Sequence, residues 1–178
     1  STLMRLISAV DYPDSGKVIT RGMLSWPVGL KGGMQKNLTG RDNVKFVCRI
    51  YGIRKDEMQE KIHYVQEFAE LGEYFDQPVS TYSSGMQARL AFGTSMAFDF
   101  DYYLIDEVMA VGDANFKRKS RKVFRERLQR SKLILVTHNM KLVERLCKMV
   151  ILLDDGRATI YRSVRNGINA YRKAGGEP

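Results

Sequence analysis

Three places in this sequence bring together residue types that can act on a phosphate. The apolar run Tyr102-Tyr103-Leu104-Ile105 ends in Asp106-Glu107. A carboxylate at the carboxyl end of a strand can hold Mg2+ through water, and a second beside it can polarise an attacking water molecule. Phosphoryl transfer needs both, together with donors around the transferred group. His138 follows another apolar strand, Leu133 to Val136, and an imidazole there can reach a terminal phosphate. Tyr82-Ser83-Ser84-Gly85-Met86 opens a helix, so its hydroxyls and free backbone N–H groups suit an anion. Each feature also has an ordinary explanation. Acidic turns end many strands, a lone histidine after a strand is commonly structural, and Ser-Ser before a helix is a plain N-cap. Ala110-Val111-Gly112-Asp113 is by itself only a turn. Their succession along one chain is what gives them weight.

The elements that would position these residues are legible from periodicity. Thr2 to Val10 has helical spacing and stops at the turn cluster Asp11 to Gly16; Lys17 to Thr20 is a short strand candidate. Ser25 to Gly40 is rich in Gly and loop residues. Thr39 then caps a helix to about Tyr51, with Asp42 in its first turn, and Lys55 to Leu71 is a second amphipathic helix. A helix is expected from about Ser84 to Phe98, a buried strand from Tyr102 to Ile105, a basic helix over Asn115 to Arg130, a buried strand over Leu133 to Val136 and a helix over Met140 to Cys147. Met149 to Leu153 and Ala158 to Tyr161 flank Asp154-Asp155-Gly156-Arg157, a hairpin sequence, and a last helix spans Val164 to Lys173. Strands alternating with helices imply an α/β fold with a mainly parallel sheet, and the all-helical stretch at about 41–82 reads as an insertion.

Size and composition narrow the class. The 178 residues are enough for one domain with a sizeable core, at 44% hydrophobic and 28% charged residues. No apolar run nears the roughly 20 residues that cross a bilayer, and no basic-then-apolar leader opens the chain. Cys48 and Cys147 have no metal spacing and read as reduced, buried thiols of a cytoplasmic protein. The net charge of +9 raises nucleic acid or an anionic membrane as partners, and Lys117 to Arg130 holds eight basic residues against Glu126 alone. That run matches no DNA-binding motif, so a solvated helix face is the plainer reading.

Taken in order, the motifs resemble the nucleotide-binding subunits of ABC transporters. Tyr82 to Met86 corresponds to the signature motif, with Ser84 and Met86 departing from the usual Leu-Ser-Gly-Gly-Gln. Leu104 to Glu107 corresponds to Walker B, Ala110 to Asp113 to the D-loop and His138 to the switch histidine. Ser25-Trp26-Pro27, Leu38 to Asn43 and Ile105 to Asp113 narrow the resemblance to the ATPase of capsular polysaccharide export. It implies one ABC ATPase domain over 1–178, with a P-loop NTPase-type core, an inserted helical subdomain at 41–82, and ATP and Mg2+ as cofactors. It also implies a head-to-tail ATP-sandwich dimer of two copies beneath integral membrane permease subunits, at the cytoplasmic face of the bacterial inner membrane, within a polysaccharide export machinery. Nucleic acid is not an expected partner.

Carried over by position, Ser83 and Gly85, flanked by Ser84 and Met86, would contact ATP held by the other subunit. Asp106, Glu107 and His138 would act on the subunit's own ATP, with Asp113 ending the D-loop at the nucleotide. Gln35 is the candidate Q-loop glutamine and metal ligand, although it lies only three residues before Leu38. Ser1-Thr2-Leu3 aligns with the end of a phosphate-binding loop, G-x-x-x-x-G-K followed by Ser or Thr. Ser1 would then ligate Mg2+ and Thr2 would sit beside it. The glycines and lysine of that loop are not in the sequence. The expectation is therefore a chain lacking the N-terminal portion of the ATPase, which alone binds ATP poorly and hydrolyses almost none. Two other readings are carried forward: export of O-antigen or teichoic-type polymer, and a non-catalytic interaction subunit or nucleic-acid-binding fragment.

Overall fold

Tyr103, Leu104 and Ile105 are almost wholly buried, and the rest of the chain is arranged around the strand that carries them. The computed structural model describes residues 2–28, 34–106 and 113–175. Strand β1 (Tyr102–Asp106) pairs in parallel with β2 (Lys132–Val136), Tyr102 opposite Lys132 and Asp106 opposite Val136. Along the other edge of β1 runs the segment from Leu24 to Val28, also parallel. There the Ser25 N–H donates to the Tyr102 carbonyl at 2.9 Å and the Val28 N–H to the Leu104 carbonyl at 2.8 Å. The Ser25 hydroxyl accepts the Leu104 N–H at 2.9 Å. β1 is thus apolar on both faces, as a strand flanked by parallel neighbours must be.

Ser25 to Val28 falls in the stretch expected as loop, yet it pairs with β1. Pro27 offers no ladder N–H and interrupts the strand pattern, and such a residue is tolerated only where one edge stays open. The reverse difference falls at Lys17 to Thr20, expected as a short strand, which forms no strand, pairs with nothing among the described residues and is exposed. A short β-branched run without a partner does not make a strand. β2 also departs from expectation. Leu133, Ile134 and Leu135 are only half-buried and Val136 is exposed, because among the described residues β2 bonds a strand on one edge only.

Three helices precede β1 in the first half of the chain: α1 (Thr2–Ile7) is short, while α2 (Gly40–Ile50) and α3 (Lys55–Ala69) are amphipathic. Thr39 caps α2, its hydroxyl accepting the Asp42 N–H at 3.0 Å. Two 3-10 turns, Gly72–Asp76 and Val79–Thr81, lead to α4 (Ser84–Met96). α3 and α4 approach closely because Gly93 has no side chain; a Cβ there would stand 3.2 Å from the Phe68 ring. One core joins them, with Val44, Ile62, Phe68, Phe75, Leu90, Phe92, Met96, Phe98 and Phe100 packed against Tyr103 and Ile105. Burying each of the larger side chains contributes roughly 1.5–3 kcal/mol.

The remaining elements are α5 (Ala114–Leu128), α6 (Met140–Leu146), the antiparallel hairpin β3 (Val150–Asp154) and β4 (Arg157–Tyr161), and α7 (Val164–Lys173). Asp155 and Gly156 both take positive φ, 44° and 73°, as a two-residue hairpin of the favoured twist requires. α7 packs on β3 through Gly167, where a Cβ would lie 2.5 Å from that of Val150. Cys48 is buried, Cys147 is half-buried, and both are free thiols. No helix among the described residues is long and apolar enough to cross a membrane. The architecture is α/β, with a parallel sheet at its centre and helices on its faces.

Candidate ATP site

Two of the candidate residues stand at one end of the sheet. Val28 pairs beside Ile105, and Asp106 lies opposite Val136, two residues before His138. Asp106 and His138 therefore stand at or just past the carboxyl ends of adjacent parallel strands, where open α/β sheets bind their ligands, and Gln35 comes seven residues after Val28 in the sequence. Asp106 is half-buried and His138 exposed. After His138, Asn139 caps α6, its side-chain oxygen accepting the Leu142 N–H at 3.1 Å. Glu107 and Ala110 to Gly112 lie outside the described residues, as does Ser1; Thr2 is exposed in the first turn of α1.

Gln35 is held by a residue the sequence reading quoted without giving it a role. Asn43 is 1% exposed, and its Oδ1 accepts the Gln35 N–H at 2.7 Å. Its Nδ2 donates to the carbonyls of Gln35 at 3.0 Å and Thr39 at 2.9 Å. The neighbouring backbone is stitched onward, Val79 N–H to the Leu38 carbonyl and Ser80 N–H to the Lys36 carbonyl, both at 2.9 Å. The Gln35 segment is thereby fixed to the residues just before Tyr82. The signal was an Asn in the first turn of a helix beside a Gly-rich loop, but a buried amide cannot be told from an exposed one by its letter.

The signature segment is anchored at one end and open at the other. Tyr82 is buried, its hydroxyl donating to the Tyr74 carbonyl at 2.5 Å; burial raises its pKa. Gly40 is required beneath it, since a Cβ there would meet the Tyr82 hydroxyl at 2.6 Å. Ser83 caps α4, its hydroxyl accepting the Met86 N–H at 3.2 Å, so the ordinary capping explanation holds for that oxygen. Ser83 and Ser84 are exposed, and Met86 is half-buried against the core. Gly85 has negative φ, and a Cβ there would meet nothing nearer than the Ser83 hydroxyl at 3.8 Å. Nothing among the described residues demands a glycine there.

Asp113 follows the strand-end segment and caps α5, its Oδ1 accepting the N–H groups of Asn115 and Phe116 at 2.9 Å. The Phe116 N–H, and then the charge of Arg89, lower its pKa. Arg89, a residue the sequence reading did not single out, bonds Asp113 from α4. Its only signal was position, two residues past Gln87 in the same helix. For Mg2+, the hard oxygen donors of Asp106 and Gln35 are the right type, and that ion commonly takes one or two protein ligands alongside water and substrate phosphates. Among the described residues no group of three or more His, Cys, Asp or Glu gathers as a closed metal site. The donor set therefore suits a metal delivered with a nucleotide.

A parallel sheet with a carboxylate and an imidazole at its strand ends, together with an open Ser-Ser-Gly helix start, is the architecture of an ABC-type ATP-binding domain. A solved ATP-binding subunit of an ABC transporter matches 86% of this chain and 62% of its own, with a TM-score of 0.66 at 17% identity, which speaks to the fold alone. No family model matches. In sequence, the chain is 52% identical over 174 residues to the polysialic acid transport ATP-binding protein KpsT of Escherichia coli, covering 97% of this chain and 79% of that protein. It is 45% identical over 172 residues to the capsule polysaccharide export ATP-binding protein CtrD of Neisseria meningitidis serogroup B, covering 96% and 78%. The O-antigen export ATP-binding protein RfbB of Klebsiella pneumoniae shares 38% over 175 residues, covering 98% and 71%. This chain belongs to the family of ABC ATP-binding proteins of capsule polysaccharide export.

Proposed function

We propose that the protein hydrolyses ATP to drive capsular polysaccharide across the bacterial inner membrane, working at the cytoplasmic face as the ATP-binding subunit beside membrane permease subunits. Mg2+, held through Asp106 with Gln35 near it, would neutralise charge on the phosphates. Glu107 orients the attacking water and accepts its proton, and His138 contacts the terminal phosphate. Ser1 and Thr2 take the metal and phosphate contacts at the start of the chain. In a head-to-tail dimer, Ser83 and Gly85 meet the phosphate bound by the other copy, with Ser84 and Met86 shaping the turn and Asp113 closing the D-loop beside it. Residues 41–82 act as the helical subdomain that carries the signature to its partner site.

The observation that carries this reading is Gly85. It is free of positive φ and uncrowded among the described residues, so a glycine at the exposed start of α4 is best explained by close approach of something from outside. The permease contact is assigned to α2. There Phe46 and Ile50 lie one turn apart and are 39% and 64% exposed, an exposed apolar pair on the helix surface. Trp26 packs inward, at 5.5–5.9 Å from the rings of Tyr51, Phe98 and Phe100. The test is Glu107→Gln in the full-length gene product, which should abolish turnover and leave nucleotide binding intact. Unchanged hydrolysis would remove Glu107 from its role. O-antigen export is the second reading, supported by relatives 38% identical, below the 45–52% of the capsule and polysialic acid relatives.

A further inference from the structure

We infer that Arg89 is a positioning residue that locks the Ser83–Met86 end of α4 to Asp113, so that the signature and the end of the D-loop reach the nucleotide as one rigid piece. This rests on the ATPase reading above. The Arg89 side chain is 20% exposed and ion-pairs with Asp113 and, at 3.7 Å, with Glu70. Its guanidinium lies 4.8 Å from the centre of the Phe116 ring. Glu70 also binds the Lys119 ammonium, at 2.5 Å, and that ammonium sits 4.8 Å over the ring of Phe68. Below them Phe68, Phe92 and Phe116 touch one another, with ring centres 5.4–6.4 Å apart.

Two cations and two carboxylates therefore close over three rings, and the seven contributing positions come from the end of α3, from α4 and from the start of α5. Most exposed ion pairs contribute only about 0–1 kcal/mol. This one differs in having its arginine largely covered, stacked on an aromatic face and shared by two acids. Glu70 is held at φ 52°, a left-handed conformation that costs a side-chain-bearing residue roughly 1–2 kcal/mol, and that conformation is where its carboxylate reaches Arg89 and Lys119. Asp113 faces two ways: one oxygen caps α5 and the other meets Arg89. Only a planar, multidentate cation can stack on Phe116 and bridge both acids, so lysine is not equivalent. The other end of α4 has a similar tie without that geometry. Arg127 pairs with Asp99 and donates to the Met96 carbonyl at 2.6 Å, a helix length away from Ser83.

The experiment compares Arg89→Met, Arg89→Lys and Arg127→Met in the full-length gene product by steady-state ATPase kinetics and thermal unfolding. Arg89→Met should lower kcat about tenfold or more while KM for ATP moves less than about twofold, the split expected when positioning rather than substrate binding is lost. Arg89→Lys should recover only part of kcat. Arg127→Met should lower the unfolding temperature and leave kcat per folded molecule intact. Equal kcat for Arg89→Met and wild type, or equal loss in Arg127→Met, overturns the proposal. Should Arg89→Met not fold, Arg89→Lys combined with Asp113→Asn decides it. A double variant no worse than the weaker single supports the lock, and additive losses refute it. A wild-type protein that hydrolyses no ATP removes the ATPase reading and the lock with it. An active one with indifferent Arg89 variants removes the lock alone.

Discussion

Asn43→Ala should be among the most damaging polar substitutions available outside the catalytic residues, and Asn43→Asp should be worse. The buried amide makes three short bonds, to Gln35 N–H, Gln35 carbonyl and Thr39 carbonyl. At about 1 kcal/mol net for each, truncation would cost near 3 kcal/mol. Two facts trim that figure. Gln35 is exposed, so water can reach its freed backbone, and the Thr39 carbonyl keeps the Asn43 N–H at 3.0 Å. The expectation is a loss of about 2–3 kcal/mol, or roughly 5–10 °C in the unfolding midpoint for a protein of this size. Aspartate keeps the acceptor for Gln35 N–H but turns an oxygen toward two carbonyls in a site 1% exposed, so it adds repulsion and desolvation to the lost donors. Urea denaturation of the three proteins, followed by far-UV circular dichroism, gives the order. Wild type above alanine above aspartate is expected. An aspartate variant as stable as wild type would refute the donor role and, with it, the staple that orients Gln35.

Three further outcomes follow from the same contacts. Gly40→Ala should destabilise by about 1–3 kcal/mol, since its Cβ would stand 2.6 Å from the Tyr82 hydroxyl and 3.0 Å from the Phe75 carbonyl; full stability by calorimetry would contradict that packing. Asp76 is held below the usual carboxylate range by the Arg41 guanidinium, and Asp42 by the Lys45 ammonium and then the Thr39 hydroxyl. A depressed carboxylate contributes stability above its unfolded pKa of about 4 and loses it as pH falls through the folded value. The gap between wild type and Arg41→Met should therefore shrink below about pH 4 and stay under about 1 kcal/mol at neutral pH, because the Asp76 side chain is half exposed. A gap that widens in acid would reverse the sign and discard the pairing. Photo-crosslinkers at Phe46 and Ile50 should capture the membrane permease, and capture only from positions off α2 would move that interface.

The helices were legible because their signals are local. Thr39 and Ser83 announced their caps, and α7 runs over the expected residues from Val164 to Lys173. The acid and histidine of the site were legible because apolar strands led into them. What stayed hidden depends on contacts distant in sequence. Leu24 to Val28 pairs with β1 although Pro27 spoils its pattern, and the worth of Asn43 and Arg89 lies in what they touch, not in their spacing. Lys17 to Thr20 shows the converse: β-branched residues invite a strand, and only a partner makes one. The half-exposure of β2 belongs to the same class, since a run such as Leu133 to Val136 reads alike whether one or both edges are paired.

The claim that Ser83 and Gly85 serve the nucleotide of a second copy is tested most directly by mixing two inactive variants of the full-length gene product. One carries Glu107→Gln, the other Gly85→Arg, and each alone should hydrolyse no ATP. In a mixed head-to-tail dimer one site holds both defects and the other holds neither. Random exchange of subunits should therefore restore activity, to about a quarter of the wild-type rate if the sites act independently. A mixture as silent as its components would place the signature and Glu107 at the same subunit's site and contradict the account.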